Sequence, residues 1–360
     1  MDRSVVALLT VLGALTTSVA RAEDLVRRHS LPEGAASPDV VVREKVVHLV
    51  YGKGRDAFHQ RSEDGGLTFG EPTRVNDPPG TVFSAMERGP RLAVTADGTV
   101  HVVWSPDRLL GVNYARLLPG ADAFERARDL RYEGATAAEG ATVAAHGEHV
   151  LILWLDGRTG EPRNSPTGLS IFGRLSKDGG QTFDEAGPVA HDYDGGACAC
   201  CHLSAAVDAD GRFVVAFRGA RGGVRDVFLL RGDGKHRRFR VARVTQDEWQ
   251  FRGCPMDGPR IGQGKDHLLV AHTVDGKIGF SHFDGRLRAP ERPGAPRGKF
   301  PLALQRPDGA TLLAWVDGDG VKWAVRDERG TALGEGALPA AGMSRPAGFV
   351  DGDGLFVLVY

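Results

Sequence analysis

The chain has 360 residues, with 45 lysines and arginines against 46 aspartates and glutamates and a formal net charge of −1. That balance excludes a nucleic-acid-binding or polybasic membrane surface. Glycine stands at 49 and proline at 20, and no long apolar stripe has a helical period. A helical bundle is therefore excluded in favour of short strands joined by tight turns.

Residues 1–22 read as a secretory signal. Arg3 supplies positive charge, Val5 to Leu15 form an apolar run too short to span a bilayer, and Ala20-Arg21-Ala22 is a small-x-small cleavage site. The expected mature chain starts at Glu23 and is secreted or periplasmic. No cysteine follows the cleavage point, so no lipid anchor is expected. No other apolar run approaches membrane length, and no membrane insertion is expected either. Residues 23–360 read as one domain.

From there a unit recurs. It is a short apolar strand, a turn containing Asp-Gly or its equivalent, and a strongly apolar strand that often ends in an aromatic residue. Seven copies are visible, at Pro38–Tyr51, Pro90–Trp104, Gly140–Trp154, Leu203–Phe217, Pro259–His272, Pro301–Trp315 and Arg345–Tyr360. Runs such as Val100-His101-Val102-Val103-Trp104 and Val150-Leu151-Ile152-Leu153-Trp154 mark strands buried on both faces. Their spacing of about 51 residues is close to that of propeller blades. Each hairpin reads as the inner pair of a four-stranded blade, with an outer pair behind it, as at Ala57–Ser62 and Thr73–Asn76. The last copy has no outer strands, and Leu25–Leu31 can supply one. The expected fold is all-β, a β-propeller of four-stranded blades closed by N- and C-terminal strands. Seven blades are the favoured count. Six is the alternative if the terminal hairpin is an incomplete copy.

A second pattern fixes the outer turns. Ser62-Glu63-Asp64-Gly65-Gly66-Leu67-Thr68-Phe69 returns two blades later as Ser176-Lys177-Asp178-Gly179-Gly180-Gln181-Thr182-Phe183. The Asp can accept backbone N–H groups inside the turn, the glycines can take positive φ, and the Phe can fold back between strands. Weaker echoes stand at Arg231-Gly232-Asp233-Gly234 and Phe283-Asp284-Gly285. The pattern resembles the Asp box, or BNR repeat, of the sialidase superfamily. In that family the box is structural and lies away from the active site. The resemblance implies an exo-α-sialidase type of glycoside hydrolase. Such an enzyme places an arginine triad on the sugar carboxylate, an acidic residue as acid/base and a Tyr–Glu pair as nucleophile.

In a propeller, the loops leading into the innermost strands share one rim with the loops between the second and third strands. Here that rim collects Arg91, Arg158, Arg218, Arg260 and Arg345, with Glu87, Glu139, Asp107, Asp156, Asp226 and Asp257. Converging arginines suit a carboxylate or sulfate through bidentate hydrogen bonds. Under the resemblance, Arg218, Arg260 and Arg345 match the triad, and Arg91 and Arg158 are further substrate-binding candidates. Asp107 or Asp156 would protonate the leaving oxygen, and Glu139 would assist the nucleophile. The Phe/Tyr-Arg-Ile-Pro motif of active sialidases is missing, and only Tyr51 and Tyr193 fall near the rim. The long loop after Asp156, reaching about Gly168, is expected to form a lid or a rim wall.

All four cysteines lie in two segments of this rim, Cys198-Ala199-Cys200-Cys201-His202 and Gly253-Cys254-Pro255-Met256-Asp257-Gly258-Pro259. Together with Arg225-Asp226 they resemble a bacterial sialidase-like subgroup with Cys-x-Cys-Cys and Cys-Pro-x-x-Gly-Pro motifs. Three readings stand open. Two disulfides could staple adjacent blades, in any of three connectivities. Cys198, Cys200, Cys201 and Cys254, assisted by His202 or Met256, could bind copper(I) or zinc. One thiol could be catalytic.

The expected function is binding or hydrolysis of an anionic glycan by a monomeric exported propeller that requires no cofactor. The alternatives are a non-catalytic carbohydrate- or protein-binding propeller, and an exported copper- or zinc-binding protein.

Overall fold

The computed structural model describes residues 25–360 apart from 107–109, 132–137, 158–167, 191, 192, 194, 234–237, 319 and 340–343. The signal segment, Asp107, Arg158 and most of the loop expected as a lid lie outside the described residues. The apolar runs form strands, and turns rich in Asp and Gly join them into antiparallel hairpins. β1 (Val26–His29) comes first and pairs only with the far end of the chain. Blade 1 is β2 (Ala35–Arg43), β3 (Val46–Lys53), β4 (Asp56–Ser62) and β5 (Thr73–Arg74). Blade 2 is β6 (Arg91–Val94), β7 (Val100–Trp104), β8 (Asn113–Leu117) and β9 (Arg128–Asp129). Blade 3 is β10 (Ala138–His146), β11 (His149–Asp156), β12 (Ser170–Ser176) and β13 (Gly187–Pro188). Blade 4 is β14 (Ser204–Val207), β15 (Phe213–Arg218), β16 (Val227–Gly232) and β17 (Phe239–Arg243). Blade 5 is β18 (Arg260–Gln263), β19 (Leu268–Val274) and β20 (Lys277–Phe283). Blade 6 is β21 (Lys299–Gln305), β22 (Thr311–Asp317), β23 (Gly320–Arg326) and β24 (Ala332–Pro339). Blade 7 is β25 (Ala347–Val350) and β26 (Phe356–Val359), with β1 alongside.

The innermost strands touch in a closed circuit, β2 to β6, β6 to β10, β10 to β14, β14 to β18, β18 to β21, β21 to β25 and β25 back to β2. This is a seven-bladed propeller, and the six-blade alternative is dropped. The terminal hairpin is a true blade because β1 completes it. β1 runs parallel to β26, with Val26 opposite Phe356 and His29 opposite Val359. Blade 7, with β1, has three strands among the described residues, and so does blade 5. Beyond β20 the chain carries Pro290, Pro293 and Pro296, which have no N–H for a ladder. Isolated bridges such as Phe280 with Glu291 take the place of a fourth strand. No α-helix occurs among the described residues, and no described helix is long and apolar enough to cross a membrane.

The apolar strands pack face to face, so each pair of neighbouring blades encloses its own cluster. Leu153 and Leu155 of blade 3 meet Phe213 and Phe217 of blade 4, while Val47 and Leu49 of blade 1 meet Phe349 and Val357 of blade 7. Full burial of one such side chain is worth about 1.5–3 kcal/mol, so the ring is held by many equivalent interfaces.

The two outer turns are stapled as their sequence implies. Asp64 Oδ1 accepts the Leu67 and Thr68 amides at 3.0 and 2.9 Å, and Gly66 N donates to Ser62 Oγ at 2.8 Å. Thr182 N and Gly180 N make the matching bonds to Asp178 and Ser176. Each turn is pressed on the preceding blade. A Cβ on Gly66 would come within 2.5 Å of Phe349, and one on Gly180 within 2.0 Å of Tyr114.

Candidate functional site at the channel mouth

The hairpin register explains how charges reach the channel. In each blade the second strand ends near an aromatic or histidine residue. The partner of the residue just before it lies on the innermost strand, at its start or just past an irregularity in the register. Asp39 faces Val50, Arg91 faces Val103, Thr142 faces Leu153 and Ser204 faces Ala216. Arg260 faces Ala271, Leu302 faces Ala314 and Ala347 faces Val359. These seven positions form one ring. The charged members of the ring are Asp39, Arg91 and Arg260, all on the wall of a central channel of about 650 Å³. Arg345, from the loop leading into β25, lines the same channel.

Asp39 organises the ring. Its Oδ1 accepts Arg260 Nη2 at 3.2 Å and Arg345 Nη2 at 3.3 Å, and its Oδ2 accepts the Leu92 amide at 3.2 Å. Arg260 also donates to the Pro346 carbonyl, and Arg345 to the Pro38 carbonyl at 3.0 Å. Arg91 donates to the carbonyls of Glu87, Gly89 and Pro90, and to His202 Nδ1 at 3.1 Å. The His202 proton therefore sits on Nε2, which is buried without a partner among the described residues. Burial, with Arg91 adding to it, holds His202 well below its ordinary value and keeps it neutral.

Two guanidiniums, those of Arg260 and Arg345, thus share the Asp39 carboxylate at hydrogen-bond distance, and Arg91 lies near enough to feel its charge. Burial, then the charges of Arg91 and Arg260, push Arg345 well down, and its Nε lacks a partner among the described residues. Burial lowers Arg91 to about 10 and lowers Arg260 as well. Glu87 is the second carboxylate nearby. Its oxygens accept the Gly258 amide at 2.6 Å and the His202 amide at 3.3 Å. Burial and the neighbouring Asp257 nevertheless raise it to about 7, so near neutral pH it cancels only part of the positive charge. The mouth is an under-compensated cationic site fitted for an anion.

The structure sorts the sequence candidates. Arg91, Arg260 and Arg345 come together. Arg218 does not join them, although it was read as a triad member. It is 1% exposed, and it donates to the carbonyls of Asp257, Arg225 and Thr273 at 2.7–3.0 Å. It clamps the loops of blades 4 and 5 together. Asp156 is 0% exposed, with Trp154 Nε1 on its Oδ2 at 2.8 Å, and Glu139 is 1% exposed and paired with Arg88 at 2.7 Å. Neither carboxylate lines the channel beside Arg91, Arg260 and Arg345, so the acid and nucleophile-assisting roles read for Asp156 and Glu139 stay expectations. Asp107 and Arg158 lie outside the described residues. Tyr51 is buried in the core between blades 1 and 7, and Tyr193 packs on Phe217 and Phe228. Asp226 is a hub for Arg243, Thr245 and the Glu248 amide. Asp39 was missed. Its signal was the shared Pro-x step of Pro38-Asp39, Pro90-Arg91 and Pro259-Arg260, which puts x into the ring.

The cysteines lie behind this ring. Cys200 and Cys254 form one disulfide between the loops of blades 4 and 5. Cys198 and Cys201 are buried free thiols, so the expectation of two disulfides gives way to one. The sulfurs of Cys198, Cys200 and Cys201 lie within 4.8 Å of one another. His202 stands outside that group, with its ring turned to Arg91.

The chain matches no protein-family profile and no curated protein in sequence. Among solved structures it is similar to the α-L-arabinanase of Penicillium chrysogenum complexed with arabinobiose, with TM-score 0.51 and 11% identity over 86% of this chain and 94% of that one. It is also similar to AofleA of Arthrobotrys oligospora, with TM-score 0.55 and 10% identity over 85% and 86% of the two chains. At such identities the likeness is one of fold. It accords with the seven-bladed propeller and leaves the sialidase likeness resting on the Asp-box residues.

Proposed function

We propose that this propeller binds a carboxylate-bearing glycan at the arginine end of its channel. One observation carries the reading: Arg91, Arg260 and Arg345 line one channel wall with their charges crowding one another, and Arg260 and Arg345 share the single carboxylate of Asp39. A sugar carboxylate would supply further negative charge and accept the Arg345 N–H that has no partner among the described residues. The Asp-box likeness and the fold shared with an arabinanase complexed with arabinobiose support a glycan as the carrier of that carboxylate. Export on residues 1–22 belongs to the same reading and makes the ligand one found outside the cytoplasm. Hydrolysis is left out of it, because Glu139 and Asp156 are buried and engaged elsewhere.

The test is calorimetric titration with sialylated and uronic-acid oligosaccharides and with their neutral methyl esters. The acids bind and the esters do not. Arg345→Ala weakens binding by roughly 2 kcal/mol, the scale of a lost charge-assisted hydrogen bond. Equal binding of acid and ester, or unchanged binding by Arg345→Ala and Arg260→Ala, would remove the proposal. Release of free sugar during the titration would make the site catalytic.

A further inference from the structure

The sulfur cluster behind the arginine ring is not used by the glycan reading. Cys198 Sγ lies 3.5 Å from Cys200 Sγ, and Cys201 Sγ is within 4.8 Å of both. Three of these sulfurs are buried, with Ala220 beside them and Met256 packed on top. No carboxylate or imidazole joins the group among the described residues. The donors are therefore thiol and thioether sulfur, the set that selects soft cations.

Two further features point to a ligand. Met256 is held at φ 49°, a left-handed conformation that costs a non-glycine residue energy. The loop keeps it there with its side chain against the sulfurs. Arg225 is buried and donates to the carbonyls of Ala220 and Gly253, yet its Nε has no partner among the described residues. Arg225 lies between the two cysteine segments in the chain and reaches Gly253 beside Cys254, so a guanidinium with no carboxylate partner among the described residues stands beside the thiols. Cys254 is on the exposed side, so the cluster has a short path to solvent.

We propose that Cys198 and Cys201 bind a copper(I) ion as thiolates, with Met256 as a thioether ligand and the Cys200–Cys254 disulfide as the fixed wall of the site. Both thiol protons leave on binding, and no electron is transferred. The thiolates supply the negative charge that Arg225 lacks. Zinc is disfavoured because it takes four ligands from Cys, His and carboxylates, and a thioether is not among them. Metal–thiolate bonds of about 2.3 Å would need sulfurs roughly 4 Å apart, and the Cys198 and Cys201 sulfurs lie within 4.8 Å of each other.

The full chain is titrated anaerobically with copper(I) against a coloured copper(I) chelator, and separately with zinc. Alkylation mass spectrometry verifies that the disulfide persists. The expected result is one copper(I) per chain, an ultraviolet sulfur-to-copper charge-transfer band and a sulfur-only shell in X-ray absorption. Cys198→Ser and Cys201→Ser abolish the band. Met256→Leu keeps the side-chain volume and the melting temperature but lowers copper affinity about tenfold. Should the cysteine variants fail to fold, Met256→Leu still decides: unchanged affinity in a chain that melts as wild type overturns the thioether site. No retained copper, a shell containing nitrogen or oxygen, or zinc retained in place of copper overturns the proposal.

Discussion

Single carboxylates carry opposite tasks in this molecule, and pH separates them. In the first Asp box the Thr68 hydroxyl and amide, followed by the Ser62 hydroxyl, hold Asp64 well below its ordinary value of 3.8. A depressed folded-state value gives stability that is present above the unfolded value and lost as pH falls through and below it. The urea midpoint should therefore drop between about pH 5 and about pH 3, and Asp64→Asn should flatten that drop. Glu87 runs the other way. Burial and Asp257 raise it to about 7, so it gains charge as pH passes neutrality. Its charge then opposes an anion held by Arg91 and Arg345. Affinity for the carboxylate glycan should fall about fivefold, or ~1 kcal/mol, from about pH 6 to about pH 8, the scale of one charge a few ångströms away in a high effective dielectric. Glu87→Gln should bind at the higher pH as wild type does at the lower, measured by the same calorimetry.

Elements are joined by groups that resemble catalytic ones in sequence. The Arg88–Glu139 pair bridges blades 2 and 3, and both partners are buried. Removing one leaves the other charged and unpaired, so Glu139→Ala should cost about 3–5 kcal/mol in denaturant unfolding. A role in chemistry alone would have left stability untouched. Trp154 closes β11 and is buried between blades 2 and 3, and Trp154→Ala should cost about 3–5 kcal/mol in the same assay. The blades themselves were legible because a strand buried on both faces must be almost wholly apolar. The fate of each arginine was not. Arg218 and Arg260 both start or end a strand at the rim, yet Arg218 meets the carbonyls of Asp257 and Thr273 from the neighbouring blade. Which carbonyls stand within reach is a property of the packed ring, and residue type does not encode it. The Arg260–Asp39 contact spans 221 residues and needs the circuit closed before it exists.

At the scale of the whole molecule, blades 4 and 5 carry a covalent tie that the other interfaces do not show among the described residues. The bridged residues are 54 apart in sequence, and loop-closure entropy for that span is worth at most roughly 4 kcal/mol. The Cys200→Ser/Cys254→Ser double variant should lose up to that much in urea unfolding, while ring closure elsewhere keeps it folded. Position of the cysteines was readable from the repeat, since both segments lead into innermost strands. Their pairing was not, because three cysteines of one segment, their sulfurs within 4.8 Å of one another, are candidates for the one cysteine of the other. The parallel pairing of β1 with β26 sets a schedule. Leu31 donates to the carbonyl of Tyr360, and the amides of Phe356 and Tyr360 donate to the carbonyls of Leu25 and His29. β1 is the first of the described strands in chain order, and its partner is the last of them. Until translation reaches Phe356 the leading strand has nothing to bind, and the newest blade keeps an open edge. A chain interrupted before Phe356 would therefore leave β1 unpaired and the ring open.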